Sequence, residues 1–216
     1  MEQAILTDTQ KEVLRIVNDE PRLDGYYLSG GTALSAYYLH HRVSDDLDFF
    51  TSEPCDRAFL TSFIDNLKFT LGADRLRSDQ IFDRNLYFLG IGDYELKLEF
   101  TRYPFARLDP IRVEEGVRVD SLRDVSANKL MALLNRFDPK DFVDLYAILQ
   151  NRPLADIRRD AETKFGSAIT DLFLGSELAK VRRVEALPKM TVPLGIDELK
   201  RFVTKEARAL SQSFTE

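Results

Sequence analysis

The sequence predicts an α+β protein, with a mixed α/β core over residues 1–120 and a helical domain over 121–216. Three observations predict it. Strand-like apolar runs punctuated by glycine turns are confined to the first 120 residues. Two pairs of these runs are spaced as hairpins, which favours an antiparallel or mixed sheet. Beyond Ser121 apolar residues recur at helical spacing nearly to the end.

Taken in order, Thr7-Asp8 opens a helix through about Asn18, with Val13, Ile16 and Val17 on one face and Asp8 suited to the first turn. Gly25-Tyr26-Tyr27-Leu28 is a short strand entering the tight turn Ser29-Gly30-Gly31. Residues 32–41, with Leu34, Ala36, Tyr37 and Tyr38, fit a helix buried on more than one side, and 46–51 alternate as a second strand. Residues 57–71 form an amphipathic helix with Phe59, Leu60, Phe63, Ile64 and Leu67 on its apolar face. Strands at 85–90 and 94–101 flank Gly92-Asp93, and strands at 111–113 and 117–119 flank Glu114-Glu115-Gly116. Helices follow at 125–135, 139–150, 154–165, 169–184 and 196–213, and no segment repeats another.

Composition excludes several kinds of chemistry. A single cysteine, Cys55, can neither close an internal disulfide nor ligate zinc by itself, and the two histidines, His40 and His41, are adjacent. A His-rich metal site and a separated catalytic triad are therefore unavailable, and metal chemistry must rest on carboxylates. No apolar run approaches the roughly 18 residues of a membrane span, and Met1-Glu2-Gln3-Ala4 lacks the pattern of a signal peptide, so a cytoplasmic protein is expected. The net charge of −6 argues against broad nonspecific nucleic-acid binding. Its distribution is uneven: residues 1–150 hold 18 Lys and Arg against 26 Asp and Glu, whereas 151–216 hold 12 against 10. That balance suits a metal-using acidic part joined to a mildly basic one, and suits chance equally.

Two glycines at a strand-to-helix junction, Ser29-Gly30-Gly31-Thr32, let the backbone turn sharply and approach a ligand, with free helix N–H groups aimed at it. Phosphate fits such a place; a plain tight turn fits it too. In Arg42-Val43-Ser44-Asp45-Asp46-Leu47-Asp48-Phe49, strand alternation sends Asp46 and Asp48 to one face and Leu47 and Phe49 to the core. Neighbouring like charges cost stability, and a magnesium ion, which takes few carboxylates and completes its shell with phosphate and water, would remove that cost. A solvated strand end would show the same spacing. In Tyr94-Glu95-Leu96-Lys97-Leu98-Glu99-Phe100 the face opposite the apolar residues carries Glu95, Lys97 and Glu99. If this strand neighbours the first, Glu99 can complete a carboxylate trio; a cross-strand salt bridge is the equal alternative.

The ordered set Gly30-Gly31-Thr32, helix, Arg42-x-Ser44-x-Asp46-x-Asp48, strand acid, Lys129-Leu130-x-Ala132, Arg136 and Lys140-Asp141-x-x-Asp144-Leu145 resembles the AbiEii/AbiGii toxin family of the nucleotidyltransferase superfamily. The resemblance covers residues 24–150. It implies a DNA polymerase β-like nucleotidyltransferase core and magnesium-dependent transfer of a nucleotide from a nucleoside triphosphate. It further implies the toxin of a toxin–antitoxin or abortive-infection system, RNA such as tRNA as an acceptor, and a gene-neighbour antitoxin that need not touch the toxin.

The resemblance also assigns residues. Asp46, Asp48 and Glu99 would be the metal ligands of a two-ion site, with manganese able to substitute for magnesium. Gly30 and Gly31 would line the triphosphate pocket, with Ser29, Thr32, Arg42 and Ser44 beside it. Lys129 and Asp141 match later catalytic motif positions. Many polymerase β-like enzymes have Asp where this chain has Glu99, and residues 151–216 match no motif. Without the resemblance Lys140 and Asp144 would be read as an i, i+4 helix pair. Two other classes stay in view: a nucleotide-binding module that works through a partner without catalysis, and a metal-dependent glycosyltransferase, whose alternating strands and helices the hairpins do not match.

Overall fold

A computed structural model describes residues 5–212, which fold as two compact units. The first comprises 5–37, 44–105 and 110–120; the second comprises 38–43, 106–109 and 121–212. Ser213, the expected end of the last helix, and the N-terminal residues read for a signal lie outside the described residues.

In the first unit α1 (Asp8–Asp19) starts at a capping box: Thr7 Oγ1 accepts from the Gln10 amide, and Gln10 Oε1 accepts from the Thr7 amide. The sheet consists of β1 (Tyr27–Ser29), β2 (Leu47–Thr51), β3 (Arg75–Ile81), β4 (Arg84–Ile91), β5 (Tyr94–Arg102), β6 (Arg112–Glu114) and β7 (Val117–Val119), in the spatial order β3-β4-β5-β2-β1-β7-β6. It is mixed: β2 is antiparallel to β1 and parallel to β5, while β1 is parallel to β7. The Gly92-Asp93 turn joins β4 to β5 as expected, pairing Ile91 with Tyr94 and, further along, Leu86 with Glu99. Alternation is obeyed where it matters, since Leu47, Phe49, Leu96, Leu98 and Phe100 are buried and Asp46 and Asp48 are not. Phe100 organises this core, stacking on Phe49 and meeting Tyr26, Phe63 and Tyr87 edge-on. Helix α3 (Arg57–Thr70) adds Leu60, Phe63, Ile64 and Leu67 to the buried side chains.

Two differences from expectation have local causes. The strand β3 was not anticipated, because nearly all its side chains are exposed and an edge strand wet on both faces has no apolar period to read. The helix expected at 32–41 begins earlier, as α2 (Gly30–Leu34), then widens into a π-helical turn, Ser35–Leu39, before His40 breaks it at φ +50°.

The second unit holds α4 (Leu122–Asn135), α5 (Pro139–Leu149), α6 (Leu154–Phe165), α7 (Asp171–Leu178) and α8 (Ile196–Gln212). Side-chain oxygens of Ser121, Asp138 and Thr170 cap α4, α5 and α7. The helix expected over 169–184 is α7 followed by a 3₁₀ turn, Ala179–Arg183. Leu130, Phe142, Leu145, Ile157, Leu174, Leu199 and Val203 form the core. No helix among the described residues is long and apolar enough to cross a membrane.

Candidate active site

The turn and the second strand of the first unit are fitted to each other. Gly30 has φ +68°, and a Cβ placed on it would lie 2.2 Å from Asp48 Oδ2. The glycine is therefore required twice, for its left-handed backbone and for the carboxylate lying against it. Register does the rest, since Ser29 on β1 and Glu99 on β5 both pair with Asp48 on β2. Thr32 Oγ1 donates to the carbonyl of Asp46, tying α2 to the start of β2. Ser29 Oγ donates to Asp120 Oδ2 at 2.8 Å, and Gln10 Nε2 donates to the carbonyl of Ser44 at 2.8 Å. Gly31, Ser29, Thr32 and Ser44 are all buried.

Asp46, Asp48 and Glu99 come together around a residue that the sequence left in the background. Lys97 Nζ lies 3.4 Å from Asp46 Oδ2, 3.9 Å from Asp48 Oδ1 and 3.4 Å from Glu99 Oε2. The three acids differ in access: the Asp46 and Asp48 side chains are 40% and 21% exposed, the Glu99 side chain 5%. Glu99 accepts from Arg84 Nε on Oε1 (2.7 Å) and from Arg84 Nη2 on Oε2 (2.8 Å), and Thr101 Oγ1 donates to Oε1 at 2.8 Å. Burial works to raise the Glu99 pKa, but the Arg84 hydrogen bonds and charge outweigh it and hold the carboxyl below its ordinary value. For Lys97 burial disfavours the charge, and Asp48, Asp46 and Glu99 together reverse that, leaving its pKa raised. Lys97 could have been found from its place two residues before Glu99. Arg84 becomes visible only once the Gly92-Asp93 turn pins the register that sets it diagonal to Glu99.

As a donor set, Asp46 and Asp48 fit a hard divalent cation: two adjacent, partly exposed carboxylates leave the remaining coordination to phosphate and water. Among the described residues, no group of three His, Cys, Asp or Glu side chains is arranged to hold a metal ion by itself.

The remaining expected residues lie in the second unit, in a buried charge network. Arg42 is 2% exposed, its Nε and Nη2 donating to the two oxygens of Asp144 at 2.6 and 2.8 Å. His41 Nε2 lies 2.8 Å from the same carboxylate. Lys129 Nζ reaches Asp144 at 2.6 Å and Asp141 at 3.1 Å, and Arg136 Nε donates to Asp141 at 2.8 Å. Lys129 on α4 and Arg136, the extended residue that caps its C-terminus, thus converge on Asp141. Lys140 is exposed, and the partners of Asp144 are Arg42, His41 and Lys129 in place of an i, i+4 lysine. Burial would push the Asp144 carboxyl up, but Lys129 and Arg42 hold it well below the usual carboxylate range.

A profile of the family described as nucleotidyl transferase AbiEii toxin, type IV TA system, matches residues 13–212. An uncharacterized protein of Aquifex aeolicus is 32% identical over 149 residues, covering 67% of this chain and 68% of that protein. Among solved structures, one assigned as a nucleotidyltransferase from H. pylori superposes with a TM-score of 0.65 at 17% identity, covering 96% of this chain and 97% of that one. MenT4, a nucleotidyltransferase toxin of Mycobacterium tuberculosis, gives a TM-score of 0.54 at 16% identity, covering 86% of this chain and 75% of that one. At these identities the two superpositions establish a shared nucleotidyltransferase fold.

Proposed function

Because the chain belongs to the nucleotidyl transferase AbiEii toxin family and is a nucleotidyltransferase, we propose that it transfers a nucleotide from a nucleoside triphosphate to RNA, tRNA in the first instance. In this reading it is the toxin partner of a gene-neighbour antitoxin and depends on magnesium at Asp46 and Asp48. The observation that carries the reading is the seating of the Asp48 carboxylate against Gly30, which brings a metal-binding pair beside the turn suited to phosphate.

Each group then has a task. Gly30 and Gly31 allow the triphosphate close approach, and Ser29 and Thr32 brace the turn through Asp120 and the Asp46 backbone. When bound, the metal supplies polarisation of the attacked phosphate and charge neutralisation of departing pyrophosphate. The acceptor hydroxyl attacks the α-phosphorus, the bond to the β-phosphate oxygen breaks, and the hydroxyl proton passes to a carboxylate of the cluster. Lys129 and Asp141 act as a buried positioning pair, and Arg42 serves the same network through Asp144. RNA as acceptor is supported by a groove of about 560 Å³ on the helical unit, lined by Lys200, Arg201, Lys205 and Arg208 with no acid among its lining residues.

The test is to incubate the purified protein with each labelled triphosphate, with or without magnesium, and with total cellular RNA or protein. One triphosphate should label RNA only with magnesium, and Asp46→Ala/Asp48→Ala should label nothing. Label entering protein would replace the acceptor, and no labelling of either pool would overturn the reading.

A further inference from the structure

We propose that Lys97 replaces one of the two metal ions of a two-ion site, so that the site takes a single divalent cation, on Asp46 and Asp48. The inference rests on the metal-dependent reading above and departs from it in the count of ions.

Glu99 carries the first part of the argument. An ionised carboxylate offers about four lone-pair positions, two on each oxygen. Oε1 receives Arg84 Nε and Thr101 Oγ1, Oε2 receives Arg84 Nη2, and the Lys97 ammonium stands 3.4 Å from Oε2 as an ion pair. Three donors fill three of the four positions and the Lys97 charge stands against the oxygen that keeps the fourth, so a metal on Glu99 would have to displace Lys97 or Arg84. Freeing it would strip a bidentate guanidinium from a carboxylate that is nearly buried.

Charge balance carries the second part. Three bare carboxylates stand at minus three, and two divalent ions would bring them to plus one. Here Lys97 and Arg84 already bring the three acids to minus one, and a single divalent ion reaches the same plus one. A second divalent ion would leave the cluster strongly positive, with two cations crowding Lys97. The lysine is suited to the role, as a compact charge on a flexible stem that can follow its three partners when a metal or phosphate arrives. Glu99 then serves to orient Lys97 and Arg84.

Manganese titration followed by the electron-spin signal of the free ion counts the sites directly. The wild type should saturate at one manganese per chain, with or without a non-hydrolysable triphosphate. Lys97→Met should take up a second ion, or bind its first at least about tenfold more tightly, because a neighbouring positive charge has gone. Its metal-free melting temperature should fall below that of the wild type and recover on adding manganese. Lys97→Arg, which keeps the charge, should stay at one ion, and it decides the matter with the wild type if Lys97→Met does not fold. Two ions in the wild type, or an unchanged count and affinity in Lys97→Met, would overturn the inference and leave the functional reading standing. No manganese bound by the wild type under either condition would overturn both.

Discussion

At Gly30 a left-handed backbone and the Asp48 carboxylate meet on one α-carbon, so the two residues constrain each other. Alanine there would carry about 1–2 kcal/mol of left-handed strain and also displace Asp48. Gly30→Ala should therefore lower stability by at least that amount in denaturant melts, and should weaken manganese binding. Asp48→Asn probes the chemistry with little change of shape. Losing a charged ligand should remove several kcal/mol of transition-state stabilisation, a fall of at least about a hundredfold in transfer rate. From spacing alone, two neighbouring aspartates suggest that neutralising one would relieve repulsion. Lys97 changes that expectation: it already sits between the acids, so the metal-free melting temperature of Asp48→Asn should stay close to wild type. Transfer by Asp48→Asn at the wild-type rate would remove Asp48 from the site. At this scale the sequence displays the Asp pair and the glycines, because alternation and turn chemistry are local. It does not display which partners fill the lone pairs of Glu99, because Arg84 and Thr101 reach it only through strand pairing.

The elements repeat that division between local and distant causes. The two-residue turn at Gly92-Asp93 pins the register of β4 on β5, and capping side chains place the starts of α4, α5 and α7 within a few residues of where periodicity puts them. The strand β3 was illegible because pairing to β4, not burial, makes it a strand. Its turn offers a test. Ile81 pairs with Arg84, leaving Phe82-Asp83 as a two-residue loop in which Phe82 takes φ +53° and is 93% exposed. Asparagine tolerates that conformation and phenylalanine resists it. Phe82→Asn should raise stability by about 1 kcal/mol, seen as a higher melting temperature. A lower one would mean that the exposed ring contributes contacts that outweigh the strain.

For the molecule as a whole, the helical unit concentrates buried ion pairs while the sheet unit carries the candidate site. Asp144, Asp124 and Asp160 all have lowered pKa values. Burial opposes the charged form in each, and Lys129 and Arg42, Lys164 and Ser121, and Arg123 and Arg152 respectively overcome it. A carboxyl whose folded pKa lies below its unfolded value of about 3.9 contributes stability above that pH and loses it as the pH falls through the folded value. The protein should therefore hold its melting temperature through neutral pH and lose it steeply below about pH 4. Asp144→Asn, which leaves Arg42 and Lys129 buried without their shared partner, should cost about 3 kcal/mol at neutral pH and flatten that acid limb. An acid limb unchanged in Asp144→Asn would place the loss elsewhere. The fold class was legible because hairpins and helices each leave a periodic trace. The order of the strands left none, and it has a consequence in time. Since β2 is held between β1, which precedes it, and β5, which begins more than forty residues later, the carboxylates cannot be gathered while the chain is still short. A growing polypeptide that has released Asp46 and Asp48 has two of the carboxylates but not yet the cluster. Closure of that long loop and assembly of the candidate site are one event, completed only after Arg102 has emerged.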